Sequence, residues 1–346
     1  MENGVLDISN PDEIELEDHT PDYLLTSSIN AEYDPDSECP KWTSNLKEVM
    51  PNPHDREKLQ EFAGYLLHHW RNPYNRALLL IGPTESGKSV LLHVLEEVLG
   101  TDNVLNKSLQ RLSNNRFAIH NLQGKYANID ADLGTRKLKD TGIFKKLVAG
   151  DRVTAEQKYE DPYDYEPTQK LVFSANQVPE VKRADDAFYE RWLFVQVPES
   201  IDRKDQDPHL ESELIEEKSG ILNWMLEGYA RLMRQSGFSG EKSLEDKKAL
   251  WNGHGDSIDR FMQNRITEAP ANEIDASKVY QHYRTEYGNS DLDTYKQGEL
   301  TKRLKKQFGI TTYTEDDGVQ YTVYQEIDMV GSDTDDADNE TETKSP

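Results

Sequence analysis

The sequence predicts a three-layer α/β domain with a largely parallel sheet, followed by a small C-terminal winged helix. A short apolar run at residues 78–81 leads through a glycine-rich loop into an amphipathic helix. Further short apolar segments, "KYANID", "KLVFSAN" and "WLFVQV", alternate with helical patterns, as the strands of a parallel sheet do. Near the C-terminus, three short helical patterns precede two β-branched runs around "EDDG", which is a hairpin signal.

The glycine-rich loop carries the clearest chemical signal. Residues 82–89, "GPTESGKS", fit the P-loop pattern G-x-x-x-x-G-K-[ST] without a mismatch. Such a loop turns its backbone N–H groups towards phosphates, and a side chain at the second glycine would obstruct that approach. Lys88 is placed to reach the β- and γ-phosphates, and the Ser89 hydroxyl to hold Mg²⁺. The sequence therefore predicts a site for ATP and Mg²⁺, bound by Gly82, Pro83, Thr84, Glu85, Ser86, Gly87, Lys88, Ser89 and Val90.

Composition narrows the class of protein. Of the 346 residues, 30% are charged and 35% hydrophobic, without an apolar run of membrane-spanning length. The acidic N-terminus lacks the cationic and apolar regions of a signal peptide. Cys39 is the only cysteine, which excludes an intrachain disulfide and a cysteine-rich zinc site. We expect a cytoplasmic protein that does not contact a membrane.

The charge balance restricts how nucleic acid could bind. The chain has 40 Lys and Arg against 65 Asp and Glu, a net charge of −25. Such a chain repels DNA as a whole, so any contact with DNA must come from local basic features.

Two aspartates follow the strand "YANID". Asp130 and Asp132 lie two residues apart, so both side chains are expected on one face of the strand. One carboxylate would hold the Mg²⁺ shell, and the other would orient or deprotonate the attacking water. The alternative is that both are ordinary loop acids in an acid-rich protein.

Two further polar residues flank strands. Asn176 ends "KLVFSAN", where an amide at the carboxyl edge of the sheet could hold the attacking water or the γ-phosphate; a simple turn before Pro179 is the alternative. Arg191 precedes "WLFVQV" and is either a surface residue or an arginine that stabilises transferred phosphate.

The order of these motifs resembles that of the superfamily 3 helicases, whose ATPase domain is AAA+-like. More narrowly, it is similar to the helicase part of phage and plasmid primase–helicases, over roughly residues 1–330. The most specific portion is residues 150–158 together with "FSANQVP", and the lead-in "ENGVLDI" and "INAEYDPDSECPKW" is also similar.

The resemblance implies a role for each nucleotide-site residue. Residues 82–89 would be the first nucleotide motif, and Asp132 the acid of the second motif and a Mg²⁺ ligand, with Asp130 as its neighbour. Asn176 would be the sensor, and Arg191 the finger that completes a neighbouring subunit's site. The acids read Asp-Ala-Asp instead of an adjacent pair, which leaves open which of the two is the base.

The resemblance also implies a DNA-gripping hairpin. Gly150, Asp151, Glu156 and Lys158 fall on the family's additional motif between the second motif and the sensor. Lys158 and Tyr159 lie where these helicases carry a hairpin that grips single-stranded DNA, and a cation with an aromatic suits phosphate and base contacts. The segment before the ATPase is too short for a primase domain, so a separate primase is a possible partner.

A basic helix is predicted near the C-terminus. Leu300, Leu304 and Phe308 repeat every four residues and mark a buried stripe. The remaining positions carry the densest basic cluster in the chain, Lys302, Arg303, Lys305 and Lys306. In a winged helix this would be the recognition helix for duplex DNA; an ordinary solvated helix face is the alternative.

These patterns predict four regions: an extended lead-in at residues 1–50, an ATPase domain at 51–240, a winged helix at 250–330 and a disordered acidic tail at 331–346. We expect an ATP-driven DNA helicase of a virus or plasmid, acting as a homo-oligomeric ring, a hexamer, in the host cytoplasm if viral. An origin-binding initiator with an ATPase switch is the alternative, and a small-molecule kinase shares only the P-loop.

Overall fold

The computed structural model describes residues 1–11, 13–134, 138, 140–179, 181, 184–255, 257–287, 296–308, 312–316 and 320–329. They belong to two compact units, Met1–Ala249 and Leu250–Pro346. The predicted acidic tail, residues 331–346, lies outside the described residues.

The first unit alternates strands and helices. In chain order its elements are β1 (Val5–Asp7), β2 (Glu15–Glu17), α1 (Pro40–Val49), α2 (Pro53–Leu67), β3 (Ala77–Ile81), α3 (Lys88–Leu99), β4 (Val104–Leu105), α4 (Leu109–Asn114), α5 (Arg116–His120), β5 (Ala127–Asp130), α6 (Gly142–Ala149), β6 (Val153–Ala155), β7 (Tyr163–Tyr165), β8 (Lys170–Ala175), α7 (Asp186–Glu190), β9 (Trp192–Gln196), α8 (Leu210–Ile215), α9 (Lys218–Gln235) and α10 (Leu244–Gly255), which continues into the second unit.

A parallel sheet organises this unit. Its five strands have the order β4-β5-β8-β3-β9, and all four pairings are parallel. Leu78 and Leu80 of β3 belong to the core cluster that includes the apolar residues of α2, α3 and α9. On β9, Trp192 stacks on Phe144 of α6, with ring centroids 4.5 Å apart. Helices therefore cover both faces of the sheet, and the α/β fold with a parallel sheet is confirmed.

The segment predicted as an extended lead-in is partly helical and packed. Trp42 of α1 is fully buried, and its ring lies edge-on to Trp224 of α9 at 5.4 Å. The carboxylate of Glu217 accepts hydrogen bonds from the backbone N–H groups of Lys41 and Trp42, at 3.1 and 3.0 Å. A carboxylate at the start of a helix satisfies otherwise unpaired N–H groups. Residues 40–49 therefore belong to the core of the first unit.

The second unit combines helices with a small antiparallel sheet. Its elements are α11 (Ser257–Arg265), β10 (Ile266–Asp275), α12 (Ala276–Tyr287), α13 (Gln297–Phe308), β11 (Thr312–Asp316) and β12 (Gln320–Met329), and the strand order is β10-β12-β11. The three predicted helices and the predicted hairpin are present. Strand β10 was not predicted, because "ITEAPANEID" contains proline, asparagine and three acids, which are rare in strands. Helix α10 covers most of the segment between the predicted ATPase domain, which ends at residue 240, and the predicted winged helix, which begins at residue 250.

Within the ranges that the structure describes, no helix has both the length and the apolar composition needed to span a membrane.

Candidate functional site

The glycine-rich loop joins β3 to α3 at the carboxyl edge of the sheet. Gly82, Pro83, Thr84, Glu85, Ser86 and Gly87 form the loop, and Lys88, Ser89 and Val90 form the first turn of α3. Gly87 has φ +86°, a conformation that glycine adopts without strain. A Cβ atom at Gly82 would lie 1.8 Å from the carbonyl oxygen of Val197, so the chain can pass there only with glycine. Both glycines of the pattern are thus required by the backbone.

Lys88 lies inside the loop and contacts its oxygens. Its Nζ donates hydrogen bonds to the carbonyl oxygens of Gly82 and Pro83, at 3.0 and 2.5 Å, and to the Oγ of Ser86 at 2.9 Å. Burial lowers the pKa of Lys88 to about 8, because desolvation disfavours the ammonium form. The ammonium group is therefore held where the loop curls, within reach of any anion that the loop binds.

Asn176 comes directly after β8, the neighbour of β3, and contacts the loop. Its Nδ2 donates a hydrogen bond to the Oγ1 of Thr84 at 3.0 Å. The parallel pairing brings the carboxyl ends of both strands to the same edge, with Ile81 opposite Ala175. The structure thus brings the predicted sensor residue to the predicted phosphate loop.

A second chain segment also holds the loop, and sequence reasoning missed it. The Oγ of Ser200 donates to the carbonyl oxygen of Thr84 at 2.8 Å, and the backbone N–H of Ile201 donates to that of Glu85 at 2.8 Å. The Nε of Arg203 lies 3.4 Å from Oε1 of Glu85. This segment has no periodic pattern, so only its position after a sheet strand could have indicated it.

Asp130 and Asp132 lie at the carboxyl end of β5. Asp130 is the last residue of the strand and half-buried, whereas Asp132 follows in an exposed loop. Burial and the nearby Asp132 carboxylate raise the pKa of Asp130 to about 6. In the part of the chain that the structure describes, the buried Oδ2 of Asp130 has no hydrogen-bond partner. An unpaired buried carboxylate oxygen fits a cation or a water, so the two carboxylates suit Mg²⁺ with a water in its shell.

Asp130→Asn is expected to raise the melting temperature more at about pH 8 than at about pH 5. The folded-state pKa of about 6 exceeds the ordinary value of 3.8, so keeping this carboxylate ionised costs stability. The cost is absent below the ordinary pKa, grows as the pH rises and is complete above the folded pKa. Thermal unfolding across this range, with a chelator present, measures the difference.

Asp161→Asn is the matched control for this titration, because Asp161 is an exposed aspartate in the turn of the β6–β7 hairpin. An equal trend in both variants would contradict the effect of burial at Asp130.

Arg191 lies at the opposite edge of the sheet from the loop. Its carbonyl oxygen accepts a hydrogen bond from the backbone N–H of Ala77 at 2.7 Å, at the start of β3, whereas the loop follows the end of that strand. The five residues of β3 separate the hydrogen bond of Arg191 from the start of the loop, a distance of about 16 Å. Among the described residues, the buried Nε of Arg191 has no hydrogen-bond partner. The structure therefore does not bring Arg191 to the loop of its own chain.

Lys158 and Tyr159 occupy the turn of a two-stranded hairpin. Strands β6 and β7 pair antiparallel from Val153 opposite Tyr165 to Ala155 opposite Tyr163. Lys158 is exposed, and the ring of Tyr159 is fully exposed at 103%, on a backbone with φ +70°. An exposed aromatic at positive φ is uncommon, and this one lies in the turn of the hairpin, where such a backbone conformation reverses the chain. The hairpin thus presents a cation and an aromatic to the surface.

The basic helix of the second unit is α13. Leu300 and Leu304 are fully buried and Phe308 packs against the same core, as the spacing predicts. The basic residues lie on the other positions: Lys302, Lys305 and Lys306 are exposed, and Arg303 is half-buried. Lys302 and Arg303 each lie 3.6 Å from a carboxylate oxygen of Glu299. Exposed pairs of this kind contribute little to stability.

The parallel sheet and the loop between β3 and α3 define the chain as an α/β protein with a P-loop-like fold. Two family models match parts of it. Residues 1–51 match a model described as D5 N terminal like, and residues 80–191 match a family of unknown function (DUF5906).

Known proteins resemble the chain over most of its length. A putative helicase, L207/L206, of Acanthamoeba polyphaga mimivirus is 23% identical over 380 residues, which cover 98% of this chain and 38% of that protein. This chain therefore spans little more than a third of the viral relative. The apo A form of the NrS-1 C-terminal region has the same fold, with a TM-score of 0.51, 11% identity, and coverage of 87% of this chain and 79% of that one. These similarities support the resemblance to superfamily 3 helicases that the order of its motifs indicates.

Proposed function

We propose that the chain is an ATP-dependent DNA helicase of a virus or plasmid replication system, which translocates on single-stranded DNA as a ring, a hexamer. One observation carries the proposal: a single compact unit holds both a phosphate-binding loop and a hairpin whose turn exposes Lys158 and Tyr159. A cation and an aromatic are the groups that hold a single strand without reading its sequence. The helicase relative of the mimivirus supports the same class of function.

The residues of the loop would position the nucleotide. Lys88 would exchange its contacts with loop oxygens for the β- and γ-phosphates, and Ser89 with Asp132 would hold Mg²⁺, which neutralises charge on those phosphates. Asn176, already hydrogen-bonded to Thr84, would orient the attacking water.

The two acids would share the remaining roles. Asp130 has the buried oxygen and the raised pKa that suit a proton acceptor, whereas the exposed Asp132 is better placed for the metal shell. This assigns Asp130 as the base.

The direct test of the proposal is steady-state ATP hydrolysis with and without single-stranded DNA, combined with a mass measurement in the presence of nucleotide. We expect stimulation by the single strand and a ring-sized particle. Hydrolysis that does not respond to single-stranded DNA would contradict the helicase proposal.

Lys158→Ala is expected to impair DNA-stimulated hydrolysis and unwinding about tenfold or more, while basal hydrolysis stays close to normal. Lys158 lies on the hairpin turn and not on the loop that would bind nucleotide, so its loss is expected to remove a DNA contact only. Lys47→Ala, at an exposed lysine on α1, is the matched control and is expected to change neither rate. Equal falls in the basal and stimulated rates would show that the hairpin turn has another role.

A second candidate function is an origin-binding initiator in which ATP switches assembly. The second unit favours it, because α13 exposes three lysines beside a buried apolar stripe, as the recognition helix of a winged helix would. Strong preference of the whole chain for one duplex sequence, without unwinding, would favour the initiator over the helicase.

A further inference from the structure

A cavity of about 420 Å³ lies at the base of the β6–β7 hairpin. The ends of α4 and α5, the outer side of α6 and both hairpin strands line it. Its volume is within the range of sites that hold small ligands or parts of larger ones.

The charged lining of the cavity is mostly cationic. Arg116, Lys146 and Arg152 line it, against the single acid Asp164. All three cations are exposed, in a chain whose net charge is −25. The lining of the cavity is therefore positive although the chain as a whole is negative. Such a local positive charge attracts an anion.

Two of these cations are available for a ligand. Among the residues that the structure describes, Arg116 and Lys146 form no ion pair with a carboxylate. The Nε of Arg152 donates a hydrogen bond to Oε1 of Glu166 at 2.8 Å, and both side chains are exposed. Because exposed ion pairs are weak, the pair with Glu166 does not prevent Arg152 from contacting phosphate.

A neutral donor completes the lining. Ser113 is one of the lining residues, and, within the described ranges, its buried Oγ has no hydrogen-bond partner. An unpaired buried hydroxyl costs stability, and a ligand oxygen would supply the missing partner. Cations together with a hydroxyl suit an oxyanion and do not suit an apolar ligand.

The cavity is joined directly to the hairpin. The backbone N–H of Glu156 donates to the carbonyl oxygen of Arg116 at 3.3 Å, and Nδ1 of His120 lies 2.8 Å from the hydroxyl of Tyr163. Tyr159 is the fourth residue after the end of β6, a span of at most about 13 Å. Single-stranded DNA whose bases contact the hairpin turn could therefore run along the hairpin, so that its backbone phosphates reach the cavity.

We infer that the cavity binds backbone phosphates of the same single-stranded DNA that contacts the hairpin turn. The inference rests on the proposed function and adds to it a phosphate site made by Arg116, Lys146, Arg152 and Ser113. The strand is then held at two places on one hairpin, by stacking at the turn and by charge at the base.

The test is single-stranded DNA binding by fluorescence anisotropy over a series of salt concentrations, with the whole chain. The variants are Arg116→Gln with Lys146→Gln, and, as matched control, Lys47→Gln with Lys204→Gln, both exposed lysines outside the cavity. The cavity variant is expected to bind about fivefold more weakly. Its slope of log affinity against log salt should be smaller by about 1.4, since each phosphate contact on a single strand contributes about 0.7. The control should keep the slope of the unchanged protein.

The outcomes separate the cavity from the proposed function. Suppose that Tyr159→Ala weakens binding of single-stranded DNA, but the cavity variant keeps the slope of log affinity against log salt of the unchanged protein. The cavity inference is then wrong, and the proposed function stands. If the unchanged protein binds no single-stranded DNA, both are wrong.

Competition with inorganic pyrophosphate, at matched ionic strength, separates a DNA strand from free phosphate compounds. The inference expects pyrophosphate to weaken DNA binding by the unchanged protein more than by the cavity variant, because both anions then occupy the same cations. Binding of pyrophosphate that is lost in the cavity variant, with equal DNA affinity of the two proteins, would assign the cavity to free phosphates and overturn the DNA assignment.

Discussion

Arg191→Ala subunits are expected to bind ATP normally but to hydrolyse it about 10³-fold more slowly. Arg191 lies at the edge of the sheet opposite its own phosphate loop, and its Nε is buried without a partner. A guanidinium in that place can stabilise charge on a γ-phosphate only if the phosphate belongs to a neighbouring subunit. The measurement is steady-state hydrolysis, with nucleotide affinity measured separately.

Mixing two variants distinguishes a site shared between subunits from a structural defect caused by Arg191→Ala. Arg191→Ala subunits mixed with Lys88→Ala subunits should recover part of the activity, because one type of interface then has both the lysine and the arginine. The mixture must be measured at concentrations where rings form, with mixed rings confirmed by mass. Absence of rescue in confirmed mixed rings would count against a shared site, and full activity of Arg191→Ala alone would exclude the role.

Lys88→Ala is expected to lower hydrolysis at least about 10²-fold while the fold persists. The variant removes the ammonium group that would neutralise the β- and γ-phosphates. Its hydrogen bonds to described residues all go to oxygens of the loop itself. The melting temperature should therefore change little. Lys47→Ala, at an exposed lysine on α1, is the matched control and should hydrolyse ATP at the normal rate. A well-folded Lys88→Ala protein with near-normal turnover would refute the assignment of the loop.

The positions of the glycine-rich loop and of the two acids after β5 could be predicted from the sequence, because the patterns that indicate them are local. The loop pattern, the apolar run before it and the acids after "YANID" each occupy a few consecutive residues. The order of strands then brings their carboxyl ends to one edge, as the pairing of Ile81 with Ala175 shows. The local pattern places Asn176 directly after a strand, and in a parallel sheet the carboxyl ends of neighbouring strands lie side by side. Together they predict that Asn176 lies near the loop.

Other features depend on contacts between distant residues and could not be predicted in this way. The burial of Trp42 depends on Trp224, on α9 far along the chain. Strand β10 forms although its residues have low strand propensity, because β12 pairs with it. The contact of Ser200 with Thr84 follows no sequence pattern, since it joins two irregular segments.

The separation of Arg191 from the loop has a consequence for symmetry. A site that needs the loop of one subunit and the arginine of another joins two different surfaces, at opposite edges of the sheet. Such head-to-tail contacts repeat indefinitely unless the rotation between subunits closes them on themselves. A twofold dimer, which joins identical surfaces, would leave such a site incomplete. Subunits whose rotation fails to close would instead grow into an open helical filament, with one half-site exposed at each end.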